Sequence, residues 1–361
     1  MKKVMILMAE RTGTGHKSAA NAIEKKLINL GYDVKQVDIF ETMGLFGRWL
    51  EGSYIPVTTK CPPLFYMAFL FTQTCPHLNH SLMYVNLKRR LTKEIEQYKP
   101  DLIISVHSMF TQAISHLLKK EKLNIPFYIN VIDLVNPPKV WFDKHADMLF
   151  VPTTEVKQDY IKKGIDPNKL IVSGFPIRND IIRRTEPKPI EDKINILLVN
   201  PSVNLSKNKK YVKEVSKLEN VNINVICGRD ESMFKALKKE QEEGKISKDV
   251  KIYSFVKNMN EFLENSHILL AKAGPNMLLE GARSGTAIVV TGHIQGQENN
   301  NYKYVVKNNF GFRCEKPNKI YDELNKFIKT KKLEECLKNV LKSECNDGTD
   351  IIAQYVKENI N

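Results

Sequence analysis

Short apolar runs separated by helix-length amphipathic stretches recur along nearly the whole chain. "VMILM", "LIISVH", "FYINVID" and "DMLFVP" fall in the first half, and "INILLVN", "INVICG", "HILLAKAG" and "TAIVVTG" in the second. Each run is too short for an ordinary helix and apolar on both faces, as a strand inside a parallel sheet reads. Strands alternating with helices in this way predict two α/β units, each built on a parallel sheet. A chain of 361 residues is long enough for each unit to bury its own core. The charged, proline-containing stretch "IRNDIIRRTEPKPIEDK" separates the two sets of strands and reads as a connection. The expected division is a first domain over 1–180, a linker over 181–193, a second domain over 194–332, and helices over 333–361 that pack back across the hinge.

Charge and cysteine usage narrow the partners. The net charge of +14, from 55 Lys and Arg against 41 Asp and Glu, points to a polyanionic partner: nucleic acid, an anionic membrane surface or phosphorylated substrates. Nucleic acid is disfavoured, because the chain has no zinc-knuckle spacing, RNP-like aromatic strand or recognition-helix motif. Six cysteines without a Cys-x-x-Cys pair do not form a disulfide framework and suit a reducing cytosol. The opening "MKKVMILMAERTG" leads into a glycine turn and not a small-residue cleavage site, so it reads as the first strand. One region breaks the α/β rhythm. Residues 45–90 are dense in Phe, Tyr, Trp, Leu and Met and end in Lys88, Arg89 and Arg90. Their longest apolar run, "PLFYMAFLF", is about half of what a bilayer span needs. Two readings stand: an ordinary buried helix, or an interfacial patch whose aromatic anchors enter the headgroup zone while the basic end meets anionic lipid.

Two stretches carry chemistry. In "AERTGTGHKSAANAI", Ala9 to Ile23, a strand, a glycine turn and a helix follow one another. This arrangement aims backbone N–H groups and the positive end of a helix dipole at whatever sits above the strand ends. His16 stands at that spot; its bland reading is a helix cap or a satisfied donor. His107, after the "LIIS" strand, has the same ambiguity. In the second stretch, Ser254 to Asn301, the strand "HILLAKAG" turns at Gly274 and Pro275 into a helix whose first turn holds Asn276 and Met277. Glu280 projects from that helix. Amides at a helix N-terminus with a nearby carboxylate suit a nucleotide diphosphate, the carboxylate taking two ribose hydroxyls. The polar loop "HIQGQENNN" after the next strand carries the amide and carboxylate groups a sugar ring needs.

The motifs "GTGHKSAANAI", "VIDLVNPPKVWFDKHADMLFVPTTEVKQDYIKKGI", "SGFPIR", "CGRD", "FVKNMNEF", "AKAGPNMLLEGARSG" and "GQENNN" occur in the order seen in monogalactosyldiacylglycerol synthases and processive diacylglycerol β-glucosyltransferases. The chain resembles that family from Lys3 to about Phe312. The resemblance implies a GT-B fold: two Rossmann-like domains with parallel sheets facing across a cleft, the first binding a lipid acceptor and the second a UDP-sugar. It implies inverting transfer of a hexose to diacylglycerol by a protein peripheral on the cytoplasmic face of the cell membrane. It implies no metal or other cofactor, in keeping with the lack of an Asp-x-Asp motif. By matched position, His16 is the general base, with Asp133 its orienting partner or the base itself. Gly13, Gly15 and Trp141 lie on the acceptor side, core packing being the bland reading of Trp141. On the donor side Phe255 and Val256 flank the uracil, while Gly274, Pro275 and Asn276 shape the phosphate turn. Glu280 holds the ribose, Gln297 and Glu298 hold the sugar hydroxyls, and Asn301 supports their loop.

The chain departs from the family pattern at three places. "LLVNPSVNLSKN" has no glycine where a glycine-rich turn is usual, which leaves Asn204, Ser206 and Lys207 as replacement donors. Asn276 and Met277 stand where glycine and a hydroxyl residue are usual, and "TGTGH" replaces a run of glycines. A side chain at a close-approach turn obstructs a ligand, because only glycine lacks a Cβ. Two other readings therefore stand beside the first: a UDP-GlcNAc transferase acting on another lipid or a polyprenyl acceptor, and a degenerate homologue that binds membranes or nucleotide sugars without turnover.

Overall fold

The computed structural model describes residues 1–10, 14–202, 204–294, 296, 298–344 and 348–360. They form two compact units, Met1–Arg178 with Glu344–Asn361, and Asn179–Ser343. In the first unit, β1 (Lys3–Met8), β2 (Asp33–Asp38), β3 (Leu102–Ser105), β4 (Phe127–Asn130), β5 (Met148–Val151) and β6 (Leu170–Val172) make one sheet. Its order is β2-β1-β3-β4-β5-β6 and every pairing is parallel. The helices are α1 (Thr14–Asn29), α2 (Gly44–Lys60), α3 (Pro62–Thr74), α4 (Pro76–Tyr98), α5 (Thr111–Lys120) and α6 (Thr154–Lys162).

The second unit repeats the scheme. Its strands are β7 (Ile194–Val199), β8 (Val221–Ile226), β9 (Lys251–Tyr253), β10 (Ile268–Lys272), β11 (Ala287–Gly292) and β12 (Gly311–Arg313). They pair in parallel in the order β12-β11-β10-β7-β8-β9. Around them lie α7 (Leu205–Val215), α8 (Glu231–Glu242), α9 (Met259–Glu264), α10 (Pro275–Arg283), α11 (Asn301–Lys307), α12 (Ile320–Ile328) and α13 (Lys332–Asn339). The two units are Rossmann-like, and each has a point where the strand order reverses: between β1 and β3 in the first sheet, and between β7 and β10 in the second. In open sheets of this kind ligands bind beyond the carboxyl ends of the strands at such points.

The cores explain which segments go where. Ile6, Ile104, Tyr128 and Phe150 of the first sheet pack with Ile23 and Leu27 of α1, and also with Ile352, Ala353 and Val356. Those last three belong to α14 (Gly348–Asn359), so the final helix joins the first unit. Tyr32 Oη donates to the Ile360 carbonyl at 3.0 Å and helps hold it there. In the second unit Ile196, Leu198, Leu270 and Val289 pack with Tyr211 and Val212 of α7, Phe327 of α12 and Leu333 and Leu337 of α13. The helices of 333–361 therefore divide, α13 staying with the second unit. The segment 181–193 is not a free connection either. Lys188 is buried, and its ammonium donates to the carbonyls of Leu263 and Ser266, both at 2.6 Å, and to Thr286 Oγ1 at 2.7 Å.

Between β2 and β3 the chain makes the α2–α4 excursion. Pro62 and Pro76 open α3 and α4, where a missing N–H is harmless. No residue of α3 is buried, which rules out the ordinary buried helix. Leu64, Met67, Leu70 and Phe71 of α3 are exposed, as are Leu45 and Trp49 of α2 and Leu78, Leu82 and Val85 of α4. On α4 the apolar residues follow helical spacing and the stripe continues into exposed Arg89. No helix among the described residues is long and apolar enough to cross a membrane.

Candidate active site

The first cluster lies at the β1/β3 reversal. His16 sits in the first turn of α1 and is 9% exposed. Its Nδ1 lies 2.7 Å from the carbonyl of Val106, the residue that follows β3 by one. A carbonyl only accepts, so Nδ1 carries the proton and Nε2 the basic lone pair. The His107 ring lies 4.2 Å from the His16 ring, centroid to centroid, and Phe40 and Phe110 pack on His107. Burial pushes the His16 imidazole down to about 4, the Val106 hydrogen bond opposing it only in part. His107 is held well below its usual value by burial and by the neighbouring His16. Both rings are therefore neutral at pH 7, as a proton acceptor requires.

Asp133 is 7% exposed and accepts a hydrogen bond at Oδ2 from Trp141 Nε1 at 2.5 Å. Trp141 is fully buried. It packs in the core and fixes Asp133, rather than offering a face to an acceptor. His16 Nδ1 is oriented by the Val106 carbonyl, which accepts its proton. A backbone acceptor has no signature in a sequence. Gly15 lies in the first turn of α1; Gly13 is outside the described residues.

The second cluster lies at the β7/β10 reversal and the neighbouring end of β11. Gly274 caps α10, with Pro275 at its first position. Asn276 is half-buried. Glu280, in the same helix, is 4% exposed and is no solvated surface residue. Asn301 is buried and its Nδ2 donates to the Ala273 carbonyl at 2.9 Å, tying α11 to the turn before α10. Glu298 is also buried; its Oε1 accepts from Lys272 Nζ at 2.8 Å and its Oε2 from the Ile294 amide at 2.7 Å. A Cβ built on Gly274 would meet this pair, 3.4 Å from Lys272 Nζ and 3.5 Å from Glu298 Oε1. Lys272 thus sets a cation beside the turn. The signal for it was a lysine at the end of the strand, two residues before Gly-Pro. Phe255 is 54% exposed, with the Arg229 guanidinium 5.5 Å from its ring centroid, and Val256 beside it is half-buried. Gln297 lies outside the described residues.

Asn200 takes a left-handed backbone with φ of 39°, a conformation Asn tolerates better than most side-chain-bearing residues. Asn204 caps α7, its Oδ1 accepting from the Lys207 amide at 3.1 Å; the cap engages the oxygen and not the Nδ2 donors. Ser206 and Lys207 are exposed. Among the described residues no group of three or more His, Cys, Asp or Glu side chains is placed to hold a metal ion.

Residues 16–177 match the family model of monogalactosyldiacylglycerol (MGDG) synthase, and residues 201–354 that of the glycosyltransferase family 28 C-terminal domain. The chain is 28% identical over 345 residues to the probable chloroplastic monogalactosyldiacylglycerol synthase of Glycine max, covering 88% of this chain and 64% of that protein. It therefore spans slightly less than two thirds of that relative's length. It is 26% identical over 316 residues to the processive diacylglycerol beta-glucosyltransferase of Bacillus mycoides (strain KBAB4), covering 84% of this chain and 80% of that one. Among solved structures, Acinetobacter baumannii MurG superposes with a TM-score of 0.68 over 99% of this chain and 100% of its own, at 16% identity, a likeness of fold. Both halves are thus matched in order, the first by the monogalactosyldiacylglycerol synthase model and the second by the glycosyltransferase family 28 C-terminal domain, on two parallel Rossmann-like sheets.

Proposed function

We propose that this protein transfers a hexose from a UDP-sugar to diacylglycerol, with inversion at the anomeric carbon, at the cytoplasmic surface of a membrane. The observation that carries the reading is the state of His16: buried at a sheet's switch point, neutral, and held by Val106 in the tautomer whose Nε2 is basic. In this reading Nε2 takes the proton of the acceptor hydroxyl as its oxygen attacks the anomeric carbon. The bond from that carbon to the β-phosphate oxygen breaks, and the electron pair leaves with UDP. The amides at the start of α10 and the Lys272 ammonium meet the charge that develops there. No metal is assigned a part.

Glu280 takes the ribose, Phe255 and Val256 flank the uracil, and Gln297 and Glu298 take the sugar hydroxyls, Glu298 held ready by Lys272 and the Ile294 amide. Asp133, fixed by Trp141, belongs to the acceptor side. The exposed apolar residues of α3 and α4 are assigned to the headgroup zone of an anionic membrane, with Lys88, Arg89 and Arg90 meeting its charge. A degenerate homologue is disfavoured because His16, Glu280 and Glu298 are retained and buried.

The test is UDP release by the purified protein given UDP-glucose, UDP-galactose or UDP-GlcNAc, with and without diacylglycerol in anionic vesicles. Release from a UDP-hexose that depends on diacylglycerol is expected. No release with any donor, from folded protein, contradicts the proposal.

A further inference from the structure

The loop 293–301 leaves the end of β11 and enters α11, and both of its ends meet one ion-pair network at the exit of β12. At the entrance, His293 Nδ1 lies 2.7 Å from Glu315 Oε1. The same oxygen accepts from Arg313 Nε at 2.8 Å. At the far end, the Arg313 guanidinium lies 4.0 Å from the ring centroid of Tyr302, in the first turn of α11. Glu315 is held below the usual carboxylate range by Arg313 and His293 against the opposing effect of burial, and Arg313 is raised mainly by its bond to Glu315. The platform behind the network is fixed: buried Tyr211 donates to the carbonyls of Thr291 at 2.8 Å and Cys314 at 2.9 Å, locking the ends of β11 and β12 together.

The side chains of His293, Glu315 and Arg313 are 22%, 26% and 36% exposed. Ion pairs this wet add little to stability. Their value lies in geometry, since together they leave the loop little freedom at either end.

We infer that His293, Glu315, Arg313 and Tyr302 form a clamp that positions the loop bearing Glu298 against the sugar of the donor, with His293 and Glu315 as positioning residues for sugar recognition. This rests on the donor reading above. Glu298 keeps its own bonds to Lys272 and the Ile294 amide, so loosening the clamp acts mainly on the sugar and only weakly on recognition of the UDP moiety. A contact group displaced by about 1 Å loses much of its contribution.

The experiment is calorimetric titration of UDP, UDP-glucose and UDP-galactose into the full chain and into Glu315→Gln, His293→Ala and His293→Asn, each shown to melt as the parent does. UDP affinity is expected to hold within about twofold, while the ratio of UDP-hexose to UDP affinity falls about tenfold in Glu315→Gln and His293→Ala. His293→Asn, whose amide nitrogen stands as many bonds from Cα as Nδ1 does, retains most of the ratio. An unchanged ratio in Glu315→Gln and His293→Ala, or an equal loss for UDP and UDP-hexose, overturns the clamp while leaving the donor reading intact. A parent protein that binds neither UDP nor a UDP-hexose overturns both.

Discussion

Burial sets the protonation of His16, and two consequences follow from its low value of about 4. The lone pair on Nε2 is available throughout the neutral range, so the acid limb of kcat/KM is expected well below the usual imidazole value near 6.5. His16→Ala is expected to lower kcat by about 10²- to 10⁴-fold, while Asp133→Asn costs less. A limb near 6.5, or a His16→Ala variant with near-parental turnover, contradicts the assignment. The second consequence concerns stability. Unfolded, this imidazole takes up a proton below about 6.5; folded, it does so only near 4. Between those values the unfolded chain binds more protons, so acid destabilises the first unit, by about 2 kcal/mol between pH 7 and pH 5 from this group alone. His107 acts in the same direction. Denaturant titrations of the first unit's transition at the two pH values measure it, and His16→Gln should shrink the difference. His16 was legible in the sequence because a Gly-x-Gly turn before a histidine is a local pattern. Its neutral tautomer was not, since that depends on the carbonyl of Val106, distant in sequence. The burial of Trp141 agrees with core packing, its bland reading; a buried indole N–H needs a partner, and Asp133 provides it only once the fold is formed.

At the scale of elements, the strands named from sequence are the inner strands of both sheets, β1, β3, β4 and β5 in one and β7, β8, β10 and β11 in the other. The unnamed strands, β2, β6, β9 and β12, are the four edges. An inner parallel strand is covered on both faces and reads as a continuous apolar run, whereas an edge is shorter or more polar. "DVKQVD" of β2 is such a case. The turn after β7 was read as damaged because it lacks glycine, and the left-handed backbone of Asn200 could not be foreseen from residue type alone. Asn200→Gly is therefore expected to be tolerated, while Asn200→Ala costs about 1 kcal/mol and weakens UDP binding. Equal stability of the two variants would contradict the assignment. The exposed face of α3 makes a separate prediction. Replacing Leu64, Met67 and Phe71 by Ser should abolish binding to anionic vesicles with a change in Tm of no more than a few degrees, because α3 has no buried residue. The parent's binding should weaken as salt rises. Vesicle binding that survives the triple substitution removes α3 from the interface.

For the whole molecule, the alternation of strands and helices was enough to give two parallel α/β units, but not to say which unit owns each segment. That depends on long-range packing: Lys188 satisfies carbonyls at the end of α9, and Ile352 and Val356 complete the first core. The central claim for the molecule is a single displacement, with His16 removing the acceptor proton and UDP leaving from the opposite face of the sugar ring. The measurement that tests it most directly is the anomeric configuration of the glycolipid formed from a UDP-α-hexose and diacylglycerol, read from the proton coupling at the anomeric carbon. A β-linked product, lost in His16→Ala, is the predicted result. An α-linked product, or one that forms undiminished without His16, would contradict the account.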